Sequence, residues 1–240
     1  MASNKHRQTA VISNESTDGG EASNGRGLLK ERAYAEIKRR ILSSAFTTGG
    51  FLAERQLASQ LGMSKTPIRA ALERLELEGF VTISPQQGVV VRDLSVRDIA
   101  DQYETRTALE GFVVRTLAGR LPPAQVERLR ANLAAQEANR RAGDIGRGIA
   151  LDTEFHLLFF EFLGNQEMLR VMRRLREKIH RVISEVFTLN PERMAGSYEE
   201  HCAIADAVLR GDGTLAARRI EDHLEVGKQM LLSPRRTLPG

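Results

Sequence analysis

The segment from Ala53 to Val91 constrains the fold more than any other part of the chain. It begins with AERQLASQLG, a short amphipathic helix pattern that ends at Gly62, where glycine favours a helix stop. Ser64 is a favourable N-cap for a second helix, and Pro67 falls in its first turn, where a missing N–H costs nothing. This second helix pattern ends at Gly79. It is followed by FVTISPQQGVVV, two β-rich runs on either side of a turn, which predicts a hairpin.

A further helix precedes this segment, because apolar residues recur every four positions from Leu29 to Ile41. Three helices and a two-stranded hairpin within residues 28–92 predict a winged helix-turn-helix, in which the hairpin is the wing. In helix-turn-helix proteins the N-terminal residues of the second helix of the motif lie against the major groove of DNA. The residues expected there are Ser64, Lys65, Thr66 and Arg69, all of them polar.

The excess positive charge of the chain is concentrated in the same segment. Residues 28–92 contain ten Lys and Arg against six Asp and Glu, whereas residues 93–240 contain 22 of each. A localised positive field is expected of a surface that binds nucleic acid. Because a solvated helix face can be equally basic, the charge supports DNA binding only together with the helix and hairpin pattern.

Residues 95–231 show helix patterns only, six in succession, which predicts an antiparallel helical bundle. Ser95 and Asp98 have the spacing of a capping box and open the first of these helices. The fold class is therefore mainly α: an N-terminal winged helix-turn-helix followed by an all-α bundle. Residues 1–27 are rich in Ser, Asn and Gly and predict a disordered tail, and residues 232–240 predict a loose one.

The sequence gives no indication of a membrane or secreted protein. It lacks a run of 18 apolar residues, and its N-terminal stretch lacks the apolar core of a signal peptide. The single cysteine, Cys202, excludes an internal disulfide. We therefore expect a cytoplasmic protein with no membrane partner.

The stretch LDTEFHLLFF, residues 151–160, places an acidic and a basic side chain in a core-like helix. Asp152 and His156 are four residues apart and project from the same face. His201 and His223 lie on two later predicted helices that are able to face the same interior. One carboxylate and three neutral imidazoles suit a divalent cation, with Zn²⁺ first and Ni²⁺, Fe²⁺ or Mn²⁺ as alternatives.

Other interpretations of these four residues stay open. Each histidine taken alone is more often a hydrogen-bonded or surface residue, and Asp152 and His156 can simply pair with each other. A metal-dependent hydrolase or oxygenase would use the same four ligands, and a purely structural metal is a third possibility. The motifs HExxH and GxSxG and a phosphate-binding glycine loop do not occur, which disfavours the enzyme.

Two modules of the sequence resemble a known family. The run LAERQLASQLGMSKTPIRAALERLELEGFVTISPQQGVVV is similar to the DNA-binding domain of the GntR family of bacterial transcription regulators. The helical remainder resembles the FCD effector domain of the FadR subfamily, through YETRTALEGFVV, DTEFHLLFFEFLGN and EEHCAIADAVLRGD. Lys65 and Ala70 depart from the usual arginine and glutamate of the family, which leaves the operator sequence open.

The resemblance implies roles for individual residues. The implied DNA contacts are Arg55, Lys65, Thr66 and Arg69, together with Gln87 and Gly88 at the wing. The implied metal ligands are Asp152, His156, His201 and His223. The implied assembly is a homodimer on a pseudo-palindromic operator in double-stranded DNA, acting as a repressor that an effector releases.

The expected effector is a small organic acid that completes the coordination of the metal. Arg106 is the residue expected to clamp a second carboxylate or hydroxyl of the effector. Its alternative role is a surface salt bridge with Glu110, one helical turn further on. Asn165 is a second candidate effector contact, although its position after Gly164 also suits a helix end.

Overall fold

The computed structural model describes residues 19–43, 45–84, 88–190 and 192–232. These residues divide into two compact units. One comprises the chain up to Ile41 together with Gly49–Val91, and the other comprises Leu42–Thr48 together with the chain from Arg92 onward. The predicted boundary at residues 92–95 lies next to this division.

The first unit consists of three helices and a small sheet. Its elements are α1 (Gly19–Leu42), β1 (Phe51–Leu52), α2 (Glu54–Leu61), α3 (Lys65–Leu77), β2 (Val81–Ser84) and β3 (Gly88–Val91). Helix α1 begins at Gly19, so the prediction of a disordered tail as far as residue 27 is wrong for residues 19–27. Residues 19–27 carry no apolar period, and apolar periodicity was the only helix signal available there. The rest of that tail, residues 1–18, and residues 233–240 lie outside the described residues.

The turn between α2 and α3 is fixed by glycine. Gly62 has a φ of 62°, and the N–H groups of Gly62 and Met63 donate to carbonyls in the last turn of α2. This left-handed conformation favours glycine, as the sequence indicated. Ile37, Ile68 and Leu72 are fully buried, and Arg74 of α3 pairs with Glu31 of α1 at 2.8 Å.

The predicted wing is part of a three-stranded antiparallel sheet with the order β1-β3-β2. Strands β2 and β3 form the hairpin, with Ser84 opposite Gly88 at the turn end and Val81 opposite Val91 at the other end. Strand β1 was missed because two residues are too few to show an alternating pattern. The turn residues Pro85–Gln87 lie outside the described residues.

The second unit is helical throughout its described part. Its helices are α4 (Val96–Leu117), α5 (Pro123–Ala142), α6 (Ile145–Leu163), α7 (Gln166–Leu189), α8 (Glu192–Leu209) and α9 (Gly213–Leu232). The predicted capping box is confirmed, because the Ser95 side chain accepts from the Asp98 N–H and the Asp98 side chain accepts from the Ser95 N–H. The predicted fold class is confirmed.

Helix α6 is the centre of the bundle. Phe155, Leu158, Phe159 and Phe160 on this helix are at most 2% exposed. Burial of nearly the whole circumference explains why its sequence is apolar on most faces. The same burial forces any polar side chain on α6 to find partners inside the protein. Within the described ranges, we find no helix with the length and apolar character needed to span a bilayer.

Candidate functional site

Three helices bring the four predicted metal ligands together. Asp152 and His156 project from α6, His201 from α8 and His223 from α9, and all four are buried. One ligand atom from each residue can be chosen so that all of them lie within 4.8 Å of one another. The convergence expected from spacing and from the family resemblance is therefore present in the fold.

The atoms that face one another are imidazole Nε2 atoms and one carboxylate oxygen. The Nε2 atoms of His156 and His223 are 3.2 Å apart. Asp152 Oδ1 lies 3.6 Å from His201 Nε2 and 3.9 Å from His156 Nε2. These separations are too long for hydrogen bonds between the carboxylate and the imidazoles. Asp152 and His156 face each other as an i,i+4 pair without a hydrogen bond, and His201 approaches the same carboxylate oxygen more closely.

The opposite nitrogen of every ring has an acceptor of its own. His156 Nδ1 lies 2.5 Å from Glu110 Oε2, His201 Nδ1 lies 2.9 Å from Gln136 Oε1, and His223 Nδ1 lies 2.5 Å from Glu200 Oε2. A carboxylate or amide oxygen can only accept, so each Nδ1 carries the proton and each Nε2 presents a lone pair. Buttressing of this kind is typical of metal-binding histidines, because it sets the tautomer and the ring orientation.

Electrostatics keep the donor set in the protonation state that a metal requires. Burial, opposed by Glu110, lowers the pKa of His156 to about 4, and burial together with the neighbouring His223 lowers the pKa of His201. Burial alone would raise the pKa of Asp152, but the positive charge of Arg176 holds that pKa well below its usual range. At neutral pH the cluster therefore presents the ionised Asp152 carboxylate together with neutral His156 and His201 imidazoles.

The donor set fits a divalent cation. His201 Nε2 is buried and has no hydrogen-bond partner among the described residues. Lone pairs that converge without a donor between them repel one another, and a cation at their centre would satisfy all of them. Three imidazoles and one carboxylate are the ligand types expected for Zn²⁺ and for other late first-row ions.

A cavity opens beside Asp152 and His223. Arg106 lines it and is 1% exposed; its Nε donates to Glu110 at 2.8 Å, while its Nη2 has no partner among the described residues. The predicted salt bridge with Glu110 is therefore present but buried, where the sequence suggested a surface pair. Because the pair uses only Nε, the guanidinium keeps a free donor.

Asn165 does not belong to this cavity. Its Oδ1 accepts from the N–H groups of Glu167 and Met168, each at 3.1 Å, which caps the start of α7. The prediction of an effector contact at Asn165 is therefore wrong, and the alternative role at a helix end accounts for the residue.

Sequence reasoning missed two arginines that line the cavity. Arg176 on α7 donates to Asp152 and, at 2.9 Å, to Thr153 Oγ1. Arg193 on α8 forms a two-pronged ion pair with Glu200 at 3.0 and 2.6 Å. Helix α7 carries several other arginines, and nothing in the sequence distinguishes Arg176 as the inward-facing one. The buttressing residues Glu110, Gln136 and Glu200 were missed as partners of the histidines for a similar reason.

The predicted DNA contacts lie on the surface of the first unit. The exposed ones are Arg55, Ser64, Lys65, Thr66, Arg69 and Gly88, whereas Gln87 lies outside the described residues. Ser64 occupies the N-cap position of α3, but its hydroxyl forms no capping hydrogen bond, contrary to the expectation. Arg69 pairs with Glu54 through two hydrogen bonds, at 3.0 and 3.3 Å. Gly88 has a φ of 85°, which favours glycine at the start of β3.

Residues 29–91 match the bacterial regulatory proteins of the GntR family, and residues 101–226 match the FCD domain. The chain is 36% identical to the Nta operon transcriptional regulator of Aminobacter aminovorans. The match covers 58% of this chain and 65% of that relative. It is 25% identical to the transcriptional repressor RspR of Escherichia coli over 82% of this chain and 86% of that one.

The fold is also known from solved structures. A GntR-type protein of Rhodococcus sp. RHA1 superposes with a TM-score of 0.72 at 21% identity, covering 86% of this chain and 99% of that one. These families and relatives are transcriptional regulators and not enzymes, so the enzyme alternative falls. The chain belongs to the GntR family of bacterial regulatory proteins and carries an FCD domain.

Proposed function

We propose that the chain is a transcriptional regulator whose affinity for an operator is modulated by a small organic acid, which binds beside a divalent metal in the helical unit. The observation that carries the regulatory part is the buried Asp152, His156, His201 and His223 cluster, in which each histidine is buttressed through Nδ1. A bundle stabilised only by packing has no use for four converging polar side chains.

The proposed DNA-binding surface is the N-terminal end of α3 with the wing. Lys65, Thr66 and Arg69 are exposed there and supply cations and a hydroxyl to base edges and phosphates. Lysine at position 65 acts as a point charge and cannot form the two-pronged contact that arginine makes with guanine. A homodimer would present two such surfaces to a pseudo-palindromic operator.

The acid would bind between the metal and Arg106. When bound, a divalent ion supplies Lewis-acidic positions for a carboxylate oxygen. Arg106 contributes the free Nη2 donor, and Glu110 holds its guanidinium in place through Nε. Because Glu110 also accepts from His156, one buried carboxylate orients both a metal ligand and the proposed acid-binding arginine.

Regulation requires that the acid bind the DNA-competent and DNA-incompetent forms of the dimer with different affinities. A coupling free energy of about 1–3 kcal/mol changes the operator affinity roughly 5- to 150-fold. Repression released by the acid is the proposed output, and the naming of the relative RspR as a repressor supports it.

Elemental analysis of the purified full-length chain tests the metal site. We expect about one divalent ion per chain in the wild type and little in the double variant His201→Ala/His223→Ala. The matched control is His180→Ala, which removes a histidine of α7 that is not part of the cluster. Equal metal content in the wild type and the double variant would contradict the proposal.

Selection from a pool of random duplexes, followed by anisotropy titration of the selected sequence, tests the DNA-binding part. We expect the chain to enrich a sequence with two inverted half-sites and to bind it as a dimer. Enrichment of no sequence at physiological salt would remove DNA recognition from the proposal and would leave the metal site unaffected.

A further inference from the structure

We infer that the effector is a monocarboxylate with an apolar body, bound with its carboxylate at the metal end of the cavity and its body at the opposite end. This inference rests on the proposed function and names the chemical class of the acid. A monocarboxylate with an apolar body differs from a small polar diacid, which is the ligand that the arginines of the cavity alone would favour.

The polar end of the cavity has enough unpaired hydrogen-bond donors to bind one carboxylate. Each of the three arginines that line it already pairs with a carboxylate of the protein: Arg106 with Glu110, Arg176 with Asp152, and Arg193 with Glu200. The buried guanidinium nitrogens that lack a partner among the described residues are Arg106 Nη2 and Arg176 Nε. Two unpaired N–H donors suit the oxygens of one carboxylate.

The other end of the cavity is apolar. Its lining there consists of Ile183 and Phe187 from α7 and of Met230 and Leu231 from α9. Gly227, four residues after His223, lies between the two ends and adds a bare backbone surface beside the Tyr103 side chain, whose hydroxyl is the nearest atom. Among the described lining residues that come from α7 and α9, Arg176 and His223 are the ones with an ionisable side chain.

Helix geometry separates the two ends. Met230 follows His223 by seven residues on α9, and Ile183 follows Arg176 by seven residues on α7. At 1.5 Å per residue, each pair is about 10 Å apart along its helix. The cavity therefore changes from charged to apolar in the same direction along both helices. A ligand that fills it needs a charged head and an apolar body.

A second carboxylate at the far end would lose its hydration without gaining a partner. The cavity should therefore discriminate strongly between an acid with an apolar end and the same acid with a second carboxylate there. Hydrocinnamate and its para-carboxy analogue are such a pair, since they share the propionate head and the ring. Malate represents the small polar diacids.

Isothermal titration calorimetry of the zinc-loaded full chain with these three probes tests the inference. We expect hydrocinnamate to bind at least about tenfold more tightly than its para-carboxy analogue and than malate. Tighter binding of either diacid would overturn the inference, although the proposed function would survive because an acid still binds. Binding of none of the probes to zinc-loaded protein would overturn both the inference and the effector part of the proposed function.

A charge introduced at the apolar end provides a second test. Met230 is half-buried and lines the apolar end, so Met230→Lys can bring an ammonium group to that end of the cavity on the long lysine stem. We expect this variant to bind the para-carboxy analogue more tightly than hydrocinnamate, a reversal of at least about tenfold, whereas Met230→Leu keeps the wild-type order. An unchanged preference in Met230→Lys would place the body of the acid elsewhere and would overturn the inference, whereas the metal content reports independently on the proposed function.

Discussion

Replacing Gln136 by leucine should weaken zinc binding, although Gln136 is not one of the four candidate ligands. Gln136 Oε1 accepts from His201 Nδ1 at 2.9 Å, and its Nε2 donates to Asn132 Oδ1 at 2.7 Å. The second contact fixes the amide orientation, so that the oxygen faces the imidazole. His201 is fully buried, so bulk solvent cannot replace this acceptor.

The magnitude follows from the loss of one buried hydrogen bond to a metal-bound ring. Leucine leaves the His201 Nδ1–H without an acceptor, which costs about 1–3 kcal/mol. Changes of this kind around metal-binding histidines weaken metal affinity about 10- to 100-fold, equivalent to about 1.4–2.7 kcal/mol. The two ranges overlap, so we expect a loss of 10- to 100-fold in zinc affinity for Gln136→Leu.

Competition with a chromophoric chelator measures this affinity directly. Gln136→Glu is the matched control, because it keeps an acceptor at the same position and makes the third histidine resemble the two that are buttressed by Glu110 and Glu200. We expect the glutamate variant to stay within a few-fold of wild type. Wild-type affinity in Gln136→Leu, with cooperative unfolding retained, would refute the idea that buttressing holds His201 in place.

Three further predictions concern the other parts of the molecule. Arg69→Ala should weaken binding to the selected duplex about 5- to 150-fold, the equivalent of about 1–3 kcal/mol for a base contact, in an anisotropy titration; unchanged affinity would remove Arg69 from the contact set. Arg106→Lys should weaken binding of a carboxylic acid about tenfold or more by calorimetry, because lysine cannot donate to Glu110 and to the acid through a planar guanidinium. An unaltered isotherm would contradict the proposed contact between Arg106 and the acid. In the metal-free chain His156 has a pKa of about 4, against 6.5 for an unperturbed histidine, so the unfolded state binds the proton first as the pH falls. The free energy of unfolding should therefore decrease by up to about 3 kcal/mol between pH 6.5 and pH 4 in denaturant titrations, and a flat profile would show that His156 is not held neutral by burial.

Periodicity and turn chemistry were sufficient to predict most of the fold. Gly62 and the capping box of Ser95 and Asp98 are local signals, and each has the predicted conformation. The start of α1 at Gly19 was missed because residues 19–27 lack an apolar face, and β1 was missed because two residues show no alternation. Local patterns predict an element only when it is long enough to repeat.

The candidate site was predictable only in part. Asp152 and His156 share one helix face, so their spacing alone placed them together. The partners of the histidines depend on tertiary contacts. Glu200 is the sequence neighbour of His201 on α8, yet its carboxylate contacts His223 on α9. The inward direction of Arg176 is also a property of the bundle, since its helix carries other arginines that face outward.

The most direct test of the account is the operator affinity of the full-length chain, measured with and without hydrocinnamate, in zinc-loaded and zinc-stripped protein. The account predicts that the acid changes the dissociation constant of the selected duplex about fivefold or more in the zinc-loaded protein and leaves it unchanged in the stripped protein. An equal response in both forms, or no response in the zinc-loaded form at saturating acid, would contradict it.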